Sequence, residues 1–268
     1  MGLRIQNNVE AFNAHRNLTS TADKAAQSME KLSSGYRINR AADDAAGLGI
    51  SESMRSQIRG LAQAQRNIQD GVSMVQTAEG NLDEVHSMLQ RVRELAVQYK
   101  NGSLDSNART AIQNEVNQLS SEIDRIGTQA QFNGIHLLDG TATVSFQVGA
   151  NDGEQIGITF LNLSNAVGTS YATLSAADNS DISEIDAAIT AVSQARSQMG
   201  AVQNRLDHTL SVSAAYQENL TSAESRIRDV DMAEEMVNLT KMQVLQQAGT
   251  AMLAQANQSP QNVLKLLG

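Results

Sequence analysis

An unbroken seven-residue apolar repeat limits the folds open to this chain more than any other feature. Its members are Met54, Leu61, Ile68, Val75, Leu82, Leu89 and Ala96. Such a repeat predicts a long helix that packs against others in a left-handed coiled coil. About 45 residues at 1.5 Å per residue would give a helix roughly 68 Å long.

Two further segments carry the same kind of helical signal. Apolar residues in 104–128 recur in steps of four and three, and 181–226 holds a heptad row that only Ser213 interrupts. Both segments therefore predict helices that pack beside the long helix at 44–99. The centre of the chain is predicted to be a bundle of about three helices.

The segment at 130–176 differs because its apolar period falls to two residues. Apolar residues alternate with polar ones on both sides of the turn at 151–153; they are Val144, Phe146, Val148, Ile156, Ile158 and Phe160. Alternation around an Asn-Asp-Gly turn predicts a β-hairpin with one apolar face. The predicted fold class is therefore mainly α, with a small β-hairpin lobe.

Composition narrows the classes of function. Aromatic residues are 3% of the chain and there is one proline, which favours long helices around an aliphatic core. Without cysteine there are no disulfides and no thiolate chemistry. The net charge of -9 gives no preference for nucleic acid. No run of about 18 apolar residues predicts a membrane span, and the first residues lack a signal-peptide pattern, so we expect any export to use another route.

The two ends are apolar on more than one helical face. The residues predicted to pack there are Ile5, Val9, Phe12, Met29, Leu32, Val230, Val237, Val244, Ala251 and Leu253. A helix that is apolar on several faces needs several partners. We therefore expect the N- and C-terminal helices to pair in a separate terminal domain and to leave apolar surface for other subunits. The alternative is that both ends are buried inside one bundle of the monomer.

A connector is predicted at 33–50, because serines and glycines make this stretch a poor helix. Its charged residues, Arg37, Arg40, Asp43 and Asp44, can pair locally or with a neighbouring subunit.

No arrangement of residues predicts catalysis, a metal site or a cofactor. The four histidines, His15, His86, His136 and His208, are scattered and lack metal-ligand spacing. No glycine-rich phosphate-binding motif is present. The sequence therefore predicts a structural protein and not an enzyme.

Long stretches of the chain resemble bacterial flagellins. They include MEKLSSGYRINRAADDAAGLGIS from residue 29, the segment 69–98, QFNGIHLLDG at 131–140, and the segments 202–210, 218–236 and 247–268. The resemblance implies a structural subunit that polymerises into the extracellular flagellar filament used for motility. The alternatives are a hook–filament junction protein, which shares the terminal helices, and a chemoreceptor-like helical module, which predicts no β lobe.

The resemblance also implies a division into domains. Residues 1–42 and 227–268 would form the two halves of an inner coiled-coil domain, the first with a connector. Residues 43–180 and 181–226 would form the rod. Since only 161–180 separate the hairpin from the last rod helix, the chain resembles a minimal flagellin without large outer domains.

Partners follow from the same resemblance. They are many copies of the chain, the flagellar type III export apparatus, a chaperone on the C-terminal helix, and the hook-junction and filament cap proteins. The family motif that Toll-like receptor 5 recognises maps to Gln90, Arg91, Leu95 and Glu115. No nucleic acid, membrane insertion or cofactor is implied.

Overall fold

The computed structural model describes residues 8–140, 143–168, 172–175 and 181–267, the last nine of these as backbone only. The helices are α1 (Val9–Ser34), α2 (Ala45–Tyr99), α3 (Ser106–Gln129), α4 (Leu163–Val167), α5 (Asp181–Arg228) and α6 (Met232–Leu267). Helices make up 77% of the described residues, so the predicted mainly α class is confirmed. Two compact units divide the chain: unit 1 lies within 1–56 and 219–268, and unit 2 comprises 57–218.

The heptad repeat of α2 forms the centre of unit 2. Ile68, Val75, Leu82 and Leu89 have no exposed surface, as the repeat predicts. The residues that α3 and α5 add to this core include Val116, Ile123, Ile185, Val192, Met199 and Leu206. Each such aliphatic side chain contributes about 1.5–3 kcal/mol by burial. An aliphatic heptad seam thus holds the unit together with few aromatic residues.

The described residues of unit 2 also form four short strands. They are β1 (Gln131–Phe132), β2 (Ile135–His136), β3 (Thr143–Gln147) and β4 (Gln155–Thr159). The predicted hairpin is β3–β4, an antiparallel pair in which Val144 faces Ile158 and Phe146 faces Ile156. Its turn packs against α2 so closely that a Cβ added at Gly60 would lie 3.0 Å from the Cβ of Ala150.

The β1–β2 ribbon was not predicted as a separate element. Its turn is Asn133-Gly134, and both residues have positive φ, 48° and 80°. A two-residue turn of this kind matches the twist of paired strands. The Asn-Gly dipeptide was the available signal, but its flanking strands are too short to show an alternating pattern.

The start of α2 corrects the connector prediction. Residues 45–50 are helical, so α2 has 55 residues, close to the predicted helix at 44–99 and longer than the heptad run alone indicates. Asp44 begins the helix by accepting a hydrogen bond from the backbone N–H of Gly47 at 2.9 Å. A Cβ at Gly47 would lie 2.8 Å from Cδ1 of the buried Ile38. This glycine therefore allows close packing and does not end the helix.

Candidate assembly surface of the terminal helices

In unit 1, α1 and α6 pack against each other in antiparallel directions. At one end, Asn8 Nδ2 donates to the carbonyl of Ala256 at 2.8 Å. Further along, Leu18 packs on Gly249, where an added Cβ would lie 3.2 Å from Leu18 Cδ1. The α1 residue number rises between these two contacts while the α6 number falls, so the two helices run antiparallel. The N- and C-terminal helices therefore pair, as the sequence predicts.

Small side chains fill much of the α1 side of this contact. The partly or fully buried positions of α1 include Ala11, Ala14, Leu18, Ala22, Ala25 and Ser28. On α6, the buried large residue is Leu239. Small residues allow two helices to approach closely, but they bury little apolar area.

Several large apolar side chains of the pair point away from it. Phe12 is 70% exposed, and Val9 and Met29 are also exposed. On α6 the apolar face is formed by Met236, Val237, Thr240, Lys241, Val244 and Leu245, which line a shallow groove of about 520 Å³. An exposed and largely apolar surface of this kind marks an interaction site.

The predicted packing residues divide into two sets. Val9, Phe12, Met29, Val237, Val244 and Ala251 are exposed, and Leu32, Val230 and Leu253 are half-buried. Ile5 lies outside the described residues. The monomer therefore does not bury these ends fully, which contradicts the alternative of a single closed bundle.

A short backbone bridge joins the connector after α1 to the connector before α6. The N–H of Arg37 donates to the carbonyl of Arg228 at 2.6 Å, and the N–H of Val230 donates to the carbonyl of Gly35 at 3.0 Å. We call residues 35–37 and 227–230 the clasp. It fixes which residues of α1 and α6 meet, because α1 ends just before it and α6 begins just after it.

Arg228 organises the side chains of the clasp. Its guanidinium lies 4.8 Å from the centroid of the Tyr36 ring, and its Nη1 lies 2.7 Å from Glu52 Oε1. This hydrogen bond is the main cause of a lowered pKa at Glu52. Arg37 also donates through Nη2 to the carbonyl of Ile227. Sequence reasoning named Arg37 but missed the other three side chains, since no spacing rule links residues so far apart.

The other predicted connector residues pair within unit 1. Arg40 donates two hydrogen bonds to the Glu30 carboxylate, from Nε to Oε1 at 3.1 Å and from Nη2 to Oε2 at 3.0 Å. Asp43 accepts hydrogen bonds from the backbone N–H groups of Arg40 and Asn39, which lower the pKa of Asp43. Stabilisation by ionised Asp43 is therefore full above the ordinary aspartate pKa and is lost as pH falls through the lowered value.

The four residues of the predicted receptor motif do not share one surface. Arg91 is exposed and binds Glu115 across α2 and α3 at 2.9 Å. Gln90 is also exposed, with Nε2 at 2.8 Å from His86 Nε2. Leu95, in contrast, is 2% exposed and belongs to the core of unit 2. Its side chain does not lie on the surface that the other three form.

The described residues contain no cluster of three or more His, Cys, Asp or Glu that could hold a metal ion. None of the helices in this part of the chain is long and apolar enough to cross a membrane.

Comparison with known proteins assigns the family. Residues 5–143 match the bacterial flagellin N-terminal helical region, and residues 182–267 match the bacterial flagellin C-terminal helical region. The chain belongs to the bacterial flagellin family. As a flagellin, it is a structural subunit that polymerises into the bacterial flagellar filament.

Relatives match this flagellin over nearly its whole length. A flagellin of Halalkalibacterium halodurans is 54% identical over 98% of this chain and 99% of the relative. A flagellin of Bacillus subtilis is 48% identical over 99% and 100%. Residues 160–180 separate β4 from α5, so the sequence has no room there for a large outer domain.

Solved structures share the fold. The crystal structure of Bacillus cereus flagellin superposes with a TM-score of 0.51 and 30% identity, covering 55% of this chain and 88% of that one. A putative flagellar hook-associated protein from Vibrio parahaemolyticus has a TM-score of 0.57 over 70% of this chain and all of its own. At 16% identity the latter shows a common fold alone, and the hook-junction alternative is not favoured.

Proposed function

We propose that this flagellin polymerises through the outward apolar faces of α1 and α6, with unit 2 as a rod that is folded beforehand. This proposal rests on one observation: small residues lie in the contact between the two helices, while Phe12, Val237 and Val244 are exposed. Burying each large side chain contributes about 1.5–3 kcal/mol, so several per subunit offset an association cost of about 4–15 kcal/mol.

Limited proteolysis of monomer and filament tests this arrangement. Residues up to about 40 and from about 228 should be cleaved in the monomer and protected in the filament, because only copies cover the outward faces. Unit 2 should resist cleavage in both states. Terminal segments that resist protease equally in monomer and filament would contradict the proposal.

We also propose that domain boundaries lie near residues 42, 180 and 226.

We propose further that a chaperone binds the subunit before export. The apolar face of α6 is a surface that a chaperone would need to cover before assembly. Export through the flagellar type III apparatus to the cell exterior, and contacts with hook-junction and cap proteins, follow from family membership. A chain without cysteine also forms no disulfide during such passage.

We propose that monomeric subunits are recognised by Toll-like receptor 5 through Gln90, Arg91 and Glu115. Arg91 is 51% exposed and offers a guanidinium held by Glu94 and Glu115. Arg91→Ala should reduce receptor activation by monomer about tenfold, since one charged contact at an interface contributes about 1.4 kcal/mol. A reporter-cell dose–response curve measures this change.

Arg125→Ala is the matched control for that variant. Arg125 is 52% exposed and pairs with Glu122, so its charge and setting resemble those of Arg91. The control should activate the receptor like the unaltered monomer. Equal activation by the Arg91 variant, or an equal loss in both variants, would remove the support for this receptor surface.

A further inference from the structure

Two Asn-Gly steps of unit 2 have different backbone settings. Asn133-Gly134 forms the turn of the β1–β2 ribbon, where the pair Phe132–Ile135 closes it. Asn101-Gly102 lies between α2 and α3, and no strand pair flanks it. The Asn133 step is therefore held by a strand pair. The Asn101 step is held only by turn hydrogen bonds, in which Asn101 N–H donates to the carbonyl of Gln98 and Leu104 N–H donates to the carbonyl of Asn101.

An Asn-Gly step can convert its own amide without an enzyme. The glycine backbone nitrogen attacks the asparagine Cγ, so that an N–Cγ bond forms and the Cγ–Nδ2 bond breaks. Nδ2 leaves as ammonia with the proton from the glycine amide. Water then opens the five-membered imide at either carbonyl, which gives aspartate or isoaspartate. Glycine permits the attack because it has no Cβ and has unusual backbone freedom.

The setting of Asn101 is open to this reaction. Asn101, Gly102 and Ser103 are all exposed, so water reaches the site. Asn101 Oδ1 accepts a hydrogen bond from the Ser103 N–H at 3.2 Å, an exposed contact that costs little to break. Among the backbone hydrogen bonds of the described residues outside regular helices and strands, none is donated by Gly102. Its nitrogen is free to approach the side chain.

The setting of Asn133 hinders the same step. Ring closure requires rotation of the asparagine backbone so that the next nitrogen reaches Cγ. Asn133 is held in the left-handed region at φ 48°, and Phe132 and Ile135 pair on either side of the turn. The ribbon must open before the backbone can rotate, so the local opening equilibrium limits the rate.

We propose that Asn101 is a site of spontaneous deamidation in the folded protein, in preference to Asn133. The product places a carboxylate next to Lys100, whose Nζ lies 3.7 Å from Asp181 Oδ2 at the start of α5. Isoaspartate also routes the main chain through Cβ, which lengthens the α2–α3 turn by one bond. The modification therefore changes the charge and the geometry at this end of unit 2.

Incubation of the folded full-length chain in heavy-oxygen water at mildly alkaline pH, followed by peptide mass mapping, tests the proposal. Conversion at Asn101 should be at least about tenfold faster than at Asn133, which corresponds to about 1.4 kcal/mol of local opening. Each product should carry one labelled oxygen. Absence of conversion at Asn101, or equal rates at the two sites, would overturn the proposal.

Two controls separate structure from intrinsic reactivity. In concentrated urea the ribbon is lost, and the two rates should become similar; a preference that persists in urea would show that the fold does not cause it. Gly102→Ala keeps Asn101 but adds a Cβ beside the attacking nitrogen. It should slow conversion at Asn101 several-fold and leave Asn133 unchanged, and an unchanged Asn101 rate would contradict the mechanism.

Discussion

Val237→Asp should abolish filament formation while the monomer stays folded. Val237 is 68% exposed on the apolar face of α6, so the monomer loses little and its unfolding free energy should change by about 0.5 kcal/mol or less. In a filament the new carboxylate would be buried without a partner, which costs about 3 kcal/mol or more. The critical concentration for polymerisation should therefore rise at least about a hundredfold.

The matched control is Val212→Asp, in unit 2. Val212 is also a helical valine with 68% exposure, so the two variants differ mainly in the unit that carries the charge. Sedimentation and electron microscopy after salt-induced assembly measure both, with circular dichroism for monomer folding. Normal filaments from the Val237 variant, or an equal loss in the Val212 variant, would contradict assembly through the terminal faces.

Arg228→Ala should open the clasp and release the register of α1 and α6. The change removes the Tyr36 stacking and the Glu52 hydrogen bond. Glu52 keeps its contact with Arg55 at 3.1 Å, so no carboxylate is left unpaired. The amides of Arg37 and Val230 should exchange hydrogen about tenfold faster, and assembly should weaken with them.

Arg226→Ala serves as the control for charge and helix position. Arg226 lies one half-turn earlier on α5 and is exposed, with a hydrogen bond to Ser222 at 2.9 Å. Its removal should leave exchange at the two clasp amides unchanged. Arg228→Lys should behave more like the alanine variant than like the control. Lysine lacks the planar guanidinium that stacks on an aromatic ring and forms bidentate hydrogen bonds. Unchanged amide exchange in the Arg228→Ala variant would show that Arg228 does not hold the clasp.

Periodicity was sufficient for the parts of this fold that repeat. The heptads of α2 predicted its buried face because residues seven apart lie on the same side of a coiled-coil helix and face its partner. The alternation from Val144 to Phe160 predicted β3–β4 for the corresponding reason in strands. The terminal helices are apolar on more than one face, and two paired helices cannot cover every face of each other. The sequence therefore predicted exposed residues such as Phe12.

Other features depend on contacts that a linear pattern does not contain. Arg228, Tyr36 and Glu52 meet only after the chain has folded back on itself. Gly47 looked like a helix breaker, yet its role is to make room for Ile38. Leu95 was predicted to belong to a receptor motif, but its side chain is buried in the core of unit 2. In each case tertiary packing decided what local propensity could not.

The division between small inward and large outward residues of α1 and α6 has a kinetic consequence. When two free subunits collide, each covers only part of the other's apolar surface, so a dimer gains little and dissociates. A subunit that arrives at a growing end meets several neighbours at once and buries most of that surface in one step. Elongation is thus favoured over nucleation, and existing ends, supplied as seeds, should control where and when filaments form.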